Sequence, residues 1–123
     1  MADSEDLNIE ELARKLSLTY QGLVLCCEQL PIPVALPRHG ATNVEAEPAV
    51  RRVAELADDQ PMPEEIKAHL FTAAIFWLSG LDVFRVLVMD GWHDARGLQV
   101  IGCLVVAQEA LSDLGEWLIE QMG

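Results

Sequence analysis

The stretch from Pro63 to Gln121, PEEIKAHLFTAAIFWLSGLDVFRVLVMDGWHDARGLQVIGCLVVAQEALSDLGEWLIEQ, decides the fold. It opens on a proline and two glutamates, is apolar on most sides from Ile66 to Met89, and stops at Asp90-Gly91. A proline suits a first helical turn, and Glu64 and Glu65 meet the positive end of the helix dipole. Gly91 fits a left-handed C-cap. The polar line along this helix is narrow: Glu65, His69, Thr72, Ser79 and Asp82. A helix with so little polar surface is buried from several directions.

A second helix follows from Trp92 or Asp94 to Gln121. Val100, Leu104, Ala107, Leu111, Leu114 and Leu118 recur at steps of four and three, the pattern of a packed seam. Between Leu98 and Ala107 only Gln99 is polar, whereas Glu109, Asp113, Glu116 and Glu120 mark an outer face further on. The short turn at Gly91 makes the two helices an antiparallel hairpin. Gly80 precedes that turn by as many residues as Gly102 follows it, so both stand at one level of the hairpin. Each costs about 1 kcal/mol of helix propensity relative to alanine, which predicts close backbone approach at the crossing.

Upstream, Asn8 with Glu11 three residues later resembles a capping box, so a first helix is expected from there to Leu30, after a frayed acidic tail, Met1 to Asp6. Its core stripe is Ile9, Leu12, Leu16, Tyr20, Leu23, Cys27 and Leu30. Leu18, Gly22 and Leu25 form a smaller apolar spot on another face, open to a partner or to the segment that follows. Residues 31–47 hold Pro31, Pro33 and Pro37, which favour extended backbone, with Ile32, Val34 and Leu36 alternating onto one side. The reading is a strap across the bundle. A further helix starts at Pro48 and frays at Asp58 and Asp59, which sit at the wrong end of its dipole. The expectation is a single all-α domain over residues 1–123: a four-helix bundle with a long C-terminal hairpin and a proline-rich extended segment after the first helix.

Hydrophobic residues make up 51% of the 123, and the mean hydropathy of +0.21 leaves more apolar surface than one small domain covers. A second copy is the simplest cover, so a homodimer is expected. The net charge of −12 argues against nucleic acid and against anionic membranes, and it permits a basic protein partner. The longest uncharged run of the third helix, Leu70 to Leu81, is short for a bilayer span, so no membrane association is expected. Cys26, Cys27 and Cys103 form no CxxC pair and lie in apolar stretches, as reduced cysteines of a cytoplasmic protein do.

The sharpest short motif is Arg38-His39-Gly40-Ala41-Thr42-Asn43. Its Arg-His-Gly resembles the signature of the histidine phosphatase (phosphoglycerate mutase) superfamily. The resemblance implies that His39 takes a phosphoryl group while Arg38 holds it. That chemistry needs a second arginine and a second histidine, for which Arg85 and His93 qualify by residue type alone. The family's motif follows the first strand of a parallel α/β sheet, and this chain has no alternating strand-helix pattern after it. The hairpin tip gathers Asp90, Trp92, His93, Asp94 and Arg96. Three of these are possible metal ligands, but a site needs three or four convergent donors and the spacing supplies no such set. Tryptophan with arginine at a protruding tip is the composition of a protein contact.

Asp82 and Arg85, three apart amid apolar neighbours, predict an intrahelical ion pair that would set register in a dimer. Glu65 and His69 predict a weaker one. No nucleophile-base pair and no phosphate loop has supporting spacing, so neither catalytic residue, metal nor cofactor is expected. The function expected is a small acidic interaction or regulatory protein: adaptor, inhibitor, immunity protein or chaperone. Its contact candidates are Trp92, His93, Arg96, Leu18, Leu25, Asp82 and Arg85. An alternative is a small-molecule-binding bundle with Tyr20, Phe71, Phe76, Trp77 and Phe84 lining the pocket.

Overall fold

In the computed structural model, which describes residues 4–38 and 43–123 and only the backbone of Asn43, the apolar helix read from Pro63 onward is the axis of the molecule. The described residues form α1 (Ser4–Glu28), α2 (Asn43–Leu56), a 3-10 turn (Ala57–Asp59), α3 (Glu64–Asp90) and α4 (Asp94–Met122). The chain is an all-α, four-helix arrangement with α3 and α4 packed antiparallel. Helix α3 touches α4, α1 and α2, and buries Leu70, Ala73, Ala74, Trp77, Leu78, Leu81 and Leu87 among them. Length and composition alone would let α3 or α4 cross a membrane, but the buried faces of both are taken by other helices of the fold.

Side-chain contacts give the direction of each helix. Arg85 near the end of α3 meets Glu47 near the start of α2, and Lys67 near the start of α3 meets Asp58 after α2. Thr19 and Cys26 of α1 meet Gln108 and Leu111 of α4 in the same order. Helices α1, α2 and α4 therefore point one way and α3 the other. Two consecutive helices that run parallel need a connection as long as the bundle, and residues 29–42 supply it. Among the described residues α1 and α2 make no direct helix packing. The strap fills the space between them with Leu30 and Leu36, both buried, and Val34, half-buried.

Three hydrogen-bonded ties hold the strap. Val34 N–H donates to Cys27 O at 2.9 Å, and Tyr20 Oη donates to Pro37 O. Gln60 is 5% exposed and satisfies both backbone groups of one residue: its Nε2 donates to Ile32 O at 2.7 Å, and its Oε1 accepts from Ile32 N–H at 3.0 Å. Proline-rich chain cannot pair its own backbone, so a side-chain amide serves where a strand neighbour would.

Several expectations need correction. Helix α1 already includes Ser4 to Asp6, so Asn8 lies inside it and caps nothing; Glu11 pairs with Arg14 and Lys15 instead. Residues 43–47, read as part of the strap, are helical, and Pro48 sits inside α2 rather than at its start. Ile32 does not share the buried side of Val34 and Leu36; it is 54% exposed. The 3-10 turn forms where the two aspartates were expected to fray α2. Gly91 has the positive φ expected, 90°, but its ψ of 170° lies in an extended region open to glycine alone, not in a left-handed cap. The chain leaves α3 extended, and its N–H still closes the helix on Leu87 O at 2.9 Å.

Replacing Gln60 with alanine should release the strap at Ile32. Loss of two hydrogen bonds on a buried amide predicts destabilisation of about 1–2 kcal/mol, measured by urea denaturation.

Candidate functional site

The hairpin carries most of the residues singled out for contact or chemistry. Its two helices approach closely at Gly80, where a Cβ would stand 3.4 Å from Cys103 Cβ and 3.5 Å from Leu104 Cδ2. Gly80 is thus the glycine that faces α4, where a Cβ would meet ordinary van der Waals contact. Gly102 does not face α3 in turn: it is exposed, and a Cβ there meets nothing within 4 Å. The level was right, but helix α4 turns Gly102 about a quarter turn away from α3 and presents Cys103 and Leu104.

At the tip, Trp92 lies flat on the first turn of α4. Its indole N–H donates to Asp94 Oδ1 at 2.6 Å. A Cβ on Gly97 would fall 2.4 Å from Trp92 Cη2, so only glycine admits the ring. Trp92 precedes the N-cap His93 and Gly97 is the fourth helical residue, the spacing of a hydrophobic staple with the tryptophan supplying all the bulk. Gly97 was missed from sequence because a staple normally shows two apolar side chains. Trp92 is therefore half-buried and packed on the core rather than projecting from it. His93, Asp90 and Asp94 remain at the surface, and with the Asp94 carboxylate turned to the indole they do not converge. Among the described residues no group of three or more His, Cys, Asp or Glu could hold a metal ion.

Asp82 and Arg85 do pair, at 3.7 Å, but the stronger partner of Arg85 is Glu47 of α2 at 2.7 Å. Glu47 also takes Arg51 at 3.0 Å. The hydrogen bond from Arg85, with the charges of Arg85 and Arg51, holds the Glu47 carboxyl below the usual carboxylate range. This cluster fastens α2 to α3. His69 stands 4.0 Å from Asp113 on α4, a cross-hairpin neighbour in place of the expected Glu65.

The contact candidates on α1 are at the surface: Leu18 is 49% exposed and Leu25 is 60%. Gly22 between them is not part of that spot; it faces α4, where a Cβ on it would stand 3.4 Å from Leu111 Cδ1. Cys27 is fully buried, and burial beside Cys26 pushes its thiol up to about 12, so it stays a neutral space-filler. Burial likewise raises Cys26 and Cys103.

Three of the five aromatics nominated for a pocket meet: Tyr20, Trp77 and Phe84 line a cleft of ≈ 210 Å³ between α1, α2 and α3, with Leu16, Ser17 and Leu81. Tyr20 and Trp77 rings stand 5.2 Å apart and tilted. Their polar ends are occupied, Trp77 Nε1 donating to Leu16 O and Tyr20 Oη to Pro37 O. Phe71 borders a separate shallow cleft of ≈ 310 Å³ with Lys67 and Asp58, and Phe76 lies on the other side of α3. Arg38 is paired with Glu28. His39, Gly40, Ala41 and Thr42 of the phosphatase-like motif lie outside the described residues, and the strand that the family's motif follows is missing among the described residues, where every element is helical.

The acidic excess collects at the end of the bundle opposite the tip. Asp58, Asp59, Glu64, Glu65, Asp113, Glu116 and Glu120 are all exposed there, and Lys67, bridging Asp58 and Glu64, offsets part of that charge. With this geometry in hand, comparison with known proteins adds nothing to it: no family model matches the chain, and neither a curated protein nor a solved structure shows significant similarity.

Three outcomes follow from this geometry. Gly97→Ala should expel Trp92 from its seat, lower Tm and change the near-ultraviolet dichroism. Gly115→Ala, where a Cβ meets nothing, should raise stability by up to about 1 kcal/mol. Because the folded-state pKa of Glu47 is depressed, its stabilising contribution is complete above the ordinary carboxylate range and is lost as pH falls through the folded value. Arg85→Met should therefore lower Tm at pH 7, and the gap from the wild-type chain should close as the pH is taken below 4.5, the ordinary value for this carboxyl.

Proposed function

We propose that this chain is a non-catalytic, self-associating cytoplasmic interaction protein, of the adaptor, inhibitor, immunity or chaperone type, whose partner is basic. One observation carries the reading. The C-terminal hairpin joins a concentrated acidic end to a stretch of uncovered apolar surface that includes Leu98, Ile101 and Val105. An acidic end attracts a cationic partner at long range and raises the rate of encounter, while the apolar stretch serves the self-association. Arg85 and Glu47 are tied to each other and burial keeps the Cys27 thiol neutral, which supports a non-catalytic reading.

Affinity capture from the host lysate at low and high salt tests this. The expectation is one saturable, near-stoichiometric basic partner released by salt. Neutralising Asp113, Glu116 and Glu120 together should weaken it at least about tenfold at low salt, which corresponds to 1.4 kcal/mol. Recovery of the protein alone would sink the partner reading.

A second reading rests on the cleft at Tyr20, Trp77 and Phe84. An apolar small molecule seated there would touch the Trp77 ring, and titration of aromatic ligands against Trp77 fluorescence, checked by native mass spectrometry, reads it directly. Unchanged emission and no retained mass would remove this alternative.

A further inference from the structure

Helices α1 and α2 cover one side of the α3–α4 pair and leave the other side bare. Helix α1 reaches α3 at Trp77 and α4 at Gln108 and Leu111, and α2 reaches α3 at Arg85. On the opposite side Phe76, Val83 and Val86 of α3 are only half-buried. Beside them on α4, Leu98 is 68% exposed and Val105 is 46% exposed, with Gly102 between. Of the two charged residues in this stretch of α3, Arg85 is turned to α2 and Glu47, and the exposed Asp82 is paired with Arg85 at 3.7 Å. Towards the end remote from the tip the same face becomes acidic, with Glu65 on α3 and Glu109, Asp113, Glu116 and Glu120 on α4.

We infer that this bare face is a two-fold homodimer interface in which the hairpins of two copies lie antiparallel and the two α4 helices cross at Gly102. The inference rests on the self-association proposed above and adds the face and the orientation. Area is the first argument. The apolar stretch spans about 13 helical residues and two helix widths, roughly 20 by 20 Å. Two copies then remove roughly 800 Å² from water, below the size of a stable specific interface, which makes the dimer weak and concentration-dependent. A single copy leaves this area wet.

Charge distribution selects a second copy and sets its direction. A parallel pairing would stack Glu65, Glu109, Asp113, Glu116 and Glu120 on their own images, and like charges juxtaposed across an interface oppose association. A two-fold axis through Gly102, perpendicular to the hairpin, separates them. The acidic half of each copy then runs out past the partner's tip, where His93 and Arg96 accompany Asp90 and Asp94. The same acidic flank disfavours an anionic lipid surface. Gly102 also acquires a reason to be glycine. Among the described residues nothing lies within 4 Å of a Cβ built there, and a helix crossing at that point needs the missing side chain.

Sedimentation of the full chain over a concentration series should show twice the 13.6 kDa chain mass at the upper end. Val105→Glu and Gly102→Leu, both at exposed positions, should weaken dimerisation at least tenfold with helical dichroism unchanged. Leu25→Glu on the outer face of α1 should leave it intact. Spin labels on Glu116→Cys should then report a separation of about 40 Å in the antiparallel dimer, from the helical rise and the distance of that residue to the axis. A dimer broken by Leu25→Glu and not by Val105→Glu would overturn the face, and a label separation under about 20 Å, two helix diameters, the orientation; both leave self-association standing. A chain that stays monomeric at every concentration overturns the inference together with the self-association. Binding of a monomer to neutral phosphatidylcholine vesicles, lost in Val105→Glu, would assign the face to lipid and overturn it too.

Discussion

Everything in this fold depends on covering α3. Its 27 residues hold apolar side chains on almost every side, and a helix of that kind is stable in water only when other elements surround it. Three helices do so unequally. Helix α4 is joined to α3 by a short turn and packs against it most extensively, facing Gly80 with the side chains of Cys103 and Leu104. Helices α1 and α2 take the next two sectors, with Trp77 bonded to the Leu16 carbonyl as the deepest fixed point between α1 and α3. The remaining sector is the bare one.

That constraint explains the chain path. With α4 already antiparallel to α3, the sectors left for α1 and α2 are filled by helices that both run antiparallel to α3. They are parallel to each other, so the chain between them must return the length of the bundle. A helix in that return would need a fifth sector, whereas an extended segment is thin enough to fill the groove between α1 and α2. The prolines keep it extended, and its unpaired backbone groups are met by Gln60, Tyr20 and the end of α1. Pro48 lies inside the first turns of α2, and the 3-10 turn follows the other end of that helix, on the way to α3.

The division of surface follows from the same layout. Groups with chemical potential in sequence are used for fastening in space: Arg85 and Glu47 pin α2, Trp92 and Asp94 pin the tip, and the thiols fill core volume. What remains exposed is apolar at the middle of the hairpin and acidic at one end.

Read alone, the sequence established the all-α class, the C-terminal hairpin and the extended segment, because each depends on local patterns: apolar period, proline spacing and the glycine stop. It also placed Gly80 at the level of the crossing and the α1 core stripe from Leu12 to Cys27 on the buried face. The start of α2, the idle Asn8 and the exposed Gly102 were misread, since caps and helix faces are settled by what packs nearby. Gly97, Gln60 and Glu47 were not legible at all. Each matters through a partner distant in sequence or through absent bulk, and no periodicity marks such a role. Only the tertiary structure decided which apolar residues were surplus, because a helix wheel shows how much surface is apolar but not how many neighbours arrive to cover it.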